Sequence, residues 1–312
     1  MSVLDETDLT YCSVNSLSKY EPLFGSAPKT DLWIALEYPY PPGDNAVKES
    51  HLPDEIKAHL TKLQKSIDNS RLVLIRNQHT IHKSNHSLFI VYANRNIPCL
   101  YEIFLENYEQ LVLINDTAII NEAFALEHSL VEEQLFLICT NGKRDRCCAR
   151  WGLPVYNELS KIGGVPVWQT SHVGGHRFAG NMICLPHGIY YGRVTLERAA
   201  SLVDQYQAGL INLHNYRGRA SYSSLAQAGE YFLRQQTMDL RLGAYQLISE
   251  IERNPDQWEV IFSSNMNEKK HRLHIAAELS DQKIFESCST ADNLKQFKQY
   301  RLIQYLEDQS VN

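Results

Sequence analysis

No stretch of this chain approaches the roughly 18 uninterrupted apolar residues of a membrane span, so no membrane association is expected. The N-terminus has neither a basic n-region nor an apolar h-region, and it is acidic and poor in Arg. Neither a secretory signal nor an organelle transit peptide is expected there. Clustered Lys and Arg are missing too. With 30 basic against 36 acidic side chains, the formal net charge is −6, and a nucleic-acid partner is not expected. Repeats of fixed period and low-complexity tracts are absent. No Cys-x-x-Cys supports thioredoxin-type dithiol chemistry. No Gly-Lys-Ser/Thr follows Gly163-Gly164, which reads as a helix stop and not as a phosphate loop. The expectation is a soluble, cytoplasmic protein.

The 312 residues include 44% hydrophobic and 21% charged side chains, close to the globular average, so disorder over most of the chain is excluded. The length asks for more than one compact unit. Seven cysteines, an odd number in a chain able to bury its own core, fit a disulfide scaffold poorly. Three of them, Cys139, Cys147 and Cys148, fall within ten residues.

Residues 31–38 (DLWIALEY) read as a buried strand broken by the following prolines. Pro53 opens a helix whose Ile56, Leu60, Leu63 and Ile67 repeat on one face. Strands are expected at 71–75, 87–92 and 98–105, with β character continuing over 109–114. The pattern restarts near 130: a strand over 134–138, a polar loop, a helix from 148 to about 162, a strand over 165–170, and a hairpin of 182–185 with 189–194. Thr195 then stands where a helix to about 207 would be capped. Residues 223–252 read as mostly helical, 257–263 and 271–279 as a hairpin, and the last twenty as a short helix and a strand. The fold class is therefore α/β. Three units are expected: an N-terminal α/β domain (1–130), a second α/β domain (131–208), and a smaller α+β extension (209–312).

Cys139 and Cys148 bracket an eight-residue polar loop, and His172 and His176 bracket Val173-Gly174-Gly175. All four fall at expected strand ends or in adjoining loops, where α/β sheets collect ligands. Gly174 and Gly175 lack Cβ atoms, so their backbone can approach a cofactor closely. Two thiolates with two imidazoles suit a Rieske-like iron–sulfur cluster or tetrahedral zinc, and spacing leaves both open.

The stretch LICTNGKRDRCCA (137–149) followed by WQTSHVGGHRFAGN (168–181) resembles the sucrase/ferredoxin-like family. PLFGSAP (22–28), Trp33, Glu37-Tyr38-Pro39 and Asn215-Tyr216-Arg217-Gly218-Arg219 extend the resemblance over roughly residues 12–230. It implies a thioredoxin-like ferredoxin domain, for which the β-α-β-β-β-α order of 131–208 is suited. It also implies a [2Fe–2S] cluster held by Cys139, Cys148, His172 and His176. Cys148 is assigned over its neighbour Cys147 because the family pattern leaves eight residues between the cysteines. The implied function is electron transfer to or from a redox partner protein, a reductase or an electron acceptor. Imidazole ligation would raise the potential and couple the electron to a proton. Gly174 and Gly175 would lie against the cofactor, and Lys143, Arg144 and Arg177 would flank its ligands and either stabilise the reduced form or steer an acidic partner.

The remaining cysteines and histidines have blander readings. Cys12, Cys99, Cys184 and Cys288 read as structural cysteines, and Arg146 as a solvated loop charge. His79, His82 and His86 read as a polar loop. His271 and His274 lie three apart on a strand and so face opposite ways. His187 lies at a hairpin turn with no required role. A zinc-stabilised interaction module, or a redox enzyme with a substrate beside the cluster, are the competing functions.

Overall fold

The computed structural model describes residues 10–80, 85–121 and 129–308. A short helix α1 (Cys12–Ser18) precedes β1 (Leu32–Glu37), which is buried along its whole length. Helix α2 (Asp54–Ser66) starts after Pro53 and buries Ile56, Leu60 and Leu63, three positions of the stripe read from the sequence. Then come β2 (Ser70–Arg76), β3 (His86–Tyr92), β4 (Cys99–Leu105), a short helix α3 (Asp116–Ile120) and β5 (Ser129–Leu130).

The second run is β6 (Leu135–Cys139), α4 (Arg146–Leu159), β7 (Val167–Thr170), β8 (Met182–Leu185), β9 (Ile189–Tyr191) and α5 (Leu196–Gln207). This is the β-α-β-β-β-α order expected of the thioredoxin-like unit. Strands β6 and β7 run parallel, and β8 and β9 antiparallel. Thr195 occupies the N-cap of α5 without a side-chain capping bond.

Strand β10 (Tyr216–Arg219) completes a ten-stranded sheet, in the order β10-β9-β8-β6-β7-β2-β1-β3-β4-β5. The expected boundary near residue 130 falls just after β5. The sheet itself crosses from one run to the other where β2 pairs antiparallel with β7, Ile75 opposite Thr170. Alternation along the strands sorts the side chains into layers. Leu32, Ile34 and Leu36 pack with α2, and Phe136 and Ile138 with α4 and α5. Trp33 and Ala35 share one core with Leu135, Leu137 and Cys139.

Three sequence expectations are corrected. Residues 109–114 were expected to be β. They form a 3-10 helix, Tyr108–Leu113, because the Asn107 side chain caps it by accepting from the Gln110 N–H. The helix expected through 252 ends earlier: α6 (Ser224–Thr237) stops at Met238, which adopts φ 55. Strand β11 (Tyr245–Asn254) follows, its exposure alternating with a period of two. The last twenty residues hold no helix among those described. They form β14 (Leu294–Glu307), paired along most of β13 (Lys270–Phe285) in a four-stranded antiparallel sheet β11-β12-β13-β14, with β12 at Gln257–Ser264.

Helix α6 lies on this second sheet, where Gly229 lets it approach Val260 and Phe262. A buried ion network ties α6 back to β10. Glu230 meets Arg219 at 3.0 Å and Arg234 at 2.8 Å, and it accepts from the Tyr216 hydroxyl at 2.6 Å.

Candidate metal centre

Cys139 ends β6, fully buried, and the chain turns at once into α4. The turn is fixed by its own polar side chains. Asn141 donates to the Gly43 carbonyl at 2.9 Å and accepts from the Arg144 N–H at 3.2 Å. Asp145 caps α4 by accepting from the Cys147 N–H at 2.9 Å. The helix then crosses the end of β6 so closely that a Cβ on Gly152 would lie 2.1 Å from the Cys139 carbonyl oxygen. This approach sets Cys148, in the first turn of α4, over Cys139.

The second pair follows β7. Gly174 and Gly175 take φ +92 and +72, values that favour glycine. A Cβ on Gly174 would strike Pro28, and one on Gly175 the Arg217 guanidinium. Arg217 is itself buried and threads the loop. It donates to the Gly174 carbonyl (3.1 Å), to Asn181 Oδ1 (2.8 Å) and to the Ser26 carbonyl (2.6 Å). The Asn181 amide in turn donates to the Gly175 carbonyl at 2.9 Å. Segments 22–28, 174–181 and 215–219, far apart in sequence, therefore meet behind the histidine loop.

Cys139, Cys148 and His172 bring their donor atoms within 4.8 Å of one another. Cys148 Sγ lies 3.8 Å from His172 Nδ1. His176 falls outside that close group, but its ring stacks on that of His172 with centroids 5.0 Å apart. Its Nδ1 is buried and has no hydrogen-bond partner.

The contact with the Cys148 thiol, helped by His172, holds the Cys139 thiol well below its ordinary value in spite of burial. The same contact, with burial, pushes Cys148 well above it. Burial lowers His176 below 6.5 and so favours the neutral imidazole that ligates metals. Two thiols, of which one readily ionises, and two imidazoles, of which one carries an orphaned buried nitrogen, fit a thiolate–imidazole metal centre.

The flanking cations sit differently from one another. Lys143 is exposed. Arg144 pairs with Asp44 at 3.0 Å, and Arg177 pairs with buried Glu21 at 2.8 Å. His187 bonds the Tyr206 hydroxyl at 2.7 Å and is not among the close donors. His79 is exposed, His86 stacks on Tyr108, and His82 lies outside the described residues. His271 bonds Tyr305 at 2.9 Å.

Cys147 points away from Cys148. It lies 3.4 Å from Cys12 Sγ and 3.3 Å from Cys288 Sγ, and with Asp145 these form a second group of close donors. Cys12 and Cys288 read as merely structural from sequence. Separations of 135 and 141 residues from Cys147 carry no motif.

Fold and donor set define an α/β protein with a buried cysteine–histidine site. Residues 23–218 match the sucrase/ferredoxin-like family, and the chain belongs to that family. "Altered inheritance of mitochondria protein 32" of Meyerozyma guilliermondii is 30% identical over 132 residues, covering 39% of this chain and 45% of that protein. The protein of the same name in Debaryomyces hansenii is 33% identical over 89 residues, covering 25% and 33%. The matched stretches span less than half the length of these relatives. A wild-type thioredoxin-like [2Fe–2S] ferredoxin from Aquifex aeolicus is similar at a TM-score of 0.23 and 17% identity, over 25% of this chain and 89% of that one. Among the described residues no helix is long and apolar enough to cross a membrane.

Proposed function

We propose that this protein carries a [2Fe–2S] cluster on Cys139, Cys148, His172 and His176 and passes single electrons between partner proteins. The observation that supports it most is the meeting of Cys139, Cys148 and the His172 ring, with the orphaned Nδ1 of His176 beside them. Such a cluster supplies reversible one-electron chemistry when bound.

The chain's own residues set its terms. Two thiolates and two neutral imidazoles carry less negative charge than four thiolates, which favours the reduced state. An imidazole that ligates through one nitrogen keeps a proton on the other, and that proton binds more tightly once an electron is added. Exposed Lys143 would attract an acidic redox partner. A cytoplasmic location belongs to this proposal. The relatives' name makes the mitochondrion the competing compartment, and cell fractionation separates the two.

The test is a visible spectrum with iron and sulfide analysis on protein purified without oxygen. About two irons and two sulfides per chain are expected, in a red-brown protein bleached by reductant. Cys148→Ser should lose the colour. A colourless protein after anaerobic reconstitution, or a Cys148→Ser variant with the full spectrum, would refute the assignment.

A further inference from the structure

We infer that Cys12, Cys147, Cys288 and Asp145 form a second, separate metal site, a structural centre for one zinc ion. Their four donor atoms lie within 4.8 Å of one another. Cys12, Cys147 and Asp145 are buried, and Cys288 closes the outer side. The three cysteines arrive on three distant pieces of chain. Cys12 opens α1, Cys147 lies in the first turn of α4, and Cys288 begins a 3-10 turn after β13.

The surroundings are built for thiolates. Cys288 Sγ accepts from the Cys12 N–H at 3.3 Å, and the Arg146 guanidinium also reaches it. Cys147 Sγ accepts from the Ser13 hydroxyl at 3.3 Å, and the Trp151 indole N–H fixes that hydroxyl at 2.8 Å. The Asp145 carboxylate is oriented by the Cys147 N–H, the Cys288 N–H (2.8 Å) and the Ser287 hydroxyl (3.0 Å). Metal ligands characteristically have such outer partners.

Three sulfurs and one carboxylate are the donors and the number that closed tetrahedral zinc takes. With Zn–S near 2.3 Å, tetrahedral sulfurs stand about 3.8 Å apart. The spacings of Cys147 Sγ from Cys12 Sγ (3.4 Å) and from Cys288 Sγ (3.3 Å) need to open by only a few tenths of an ångström. A disulfide would instead require an approach to about 2.05 Å and would leave one of three thiols over. Binding is balanced in charge and protons: one divalent ion enters, and three thiols release three protons to solvent. The ion would clasp the N-terminal helix and the C-terminal sheet onto the helix that carries Cys148.

The experiment is zinc and iron analysis of the full chain expressed with both metals supplied. Wild-type protein should hold about one zinc per chain in addition to any iron. Cys288→Ser should lose the zinc while keeping the iron and the visible spectrum. Cys148→Ser should do the reverse, so failure of the iron site and failure of the zinc site are read separately. In the event that Cys288→Ser misfolds, cobalt substitution of the wild-type zinc gives a second reading. It should produce a thiolate-to-cobalt absorption in wild type that Cys12→Ser abolishes. No zinc in wild-type protein given excess zinc ion would overturn the inference. So would zinc lost with Cys148→Ser but kept with Cys288→Ser, or a disulfide among Cys12, Cys147 and Cys288 by mass.

Discussion

Replacing Gly152 by alanine should destabilise the protein, although in an ordinary helix interior that change stabilises by about 1 kcal/mol. The reason is the crossing of α4 over β6. The added Cβ would sit 2.1 Å from the Cys139 carbonyl oxygen and 3.1 Å from its carbon, where real contacts essentially never fall below 3.0 Å. Both opposing atoms are backbone in a strand buried throughout, with neighbours on either side, so neither yields cheaply. The helix must retreat by about 1 Å, at the upper end of the 1–3 kcal/mol that overpacking costs.

Set against the propensity gain, the net loss is about 2 kcal/mol. With a urea slope near 2 kcal/mol/M, the midpoint should fall by about 1 M. Tryptophan fluorescence during urea unfolding measures it. Gly163→Ala is the control, since nothing lies within 4 Å of its added carbon; it should change stability by no more than about 0.5 kcal/mol. Because the retreat also separates Cys148 from Cys139, iron content should drop in Gly152→Ala and not in Gly163→Ala. A Gly152→Ala protein as stable as wild type, with full iron, would refute the close crossing.

The Glu230 network predicts an acid response. Burial alone would raise that carboxyl, but Arg219 and Arg234 outweigh it and bring it down from 4.5 to about 2. A group with a depressed folded value contributes stability that is present above 4.5 and lost as pH falls toward 2, here about 3 kcal/mol. Urea midpoints across that window should show the loss in wild type and its absence in Glu230→Gln; an equal slope in both would refute the assignment. Arg217→Lys should loosen the histidine loop, because one ammonium cannot reach the Ser26 and Gly174 carbonyls and Asn181 together. Each buried acceptor left unpaired costs about 1–3 kcal/mol, so amide exchange across 172–176 should speed at least about tenfold. Unchanged exchange would show that Arg217 does not hold the loop.

The parts of the fold that could be read from sequence are those whose cause is local. The Ile56-Leu60-Leu63 stripe declares α2, and the second run shows its β-α-β-β-β-α order through turn residues and apolar runs. The long-range pairings could not be read. Nothing in Ile75 or Thr170 announces that β2 will join β7 and carry one sheet through both runs. Residues 245–254 were misread because a mixed apolar pattern left the period ambiguous, and pairing with β12 decided for strand. At the site, the Cys139–Cys148 and His172–His176 spacings were visible in the sequence. The role of Arg217 was visible only as a motif, Asn215-Tyr216-Arg217-Gly218-Arg219, without its reason.

The adjacent cysteines show why spacing alone was insufficient. Successive residues of an α-helix project about 100° apart, so neighbouring thiols at the start of α4 face different surroundings. The cap fixes which faces where. With Asp145 bonded to the Cys147 N–H, Cys148 lies toward Cys139 and the His172 ring, and Cys147 toward Cys12 and Cys288. One capped helix turn thus presents a thiol to each of two donor groups. A ligand assignment exchanged between Cys147 and Cys148 would require this turn to rotate by about 100°. That rotation would break the Asp145 cap and drive Gly152 out of its contact with the Cys139 carbonyl.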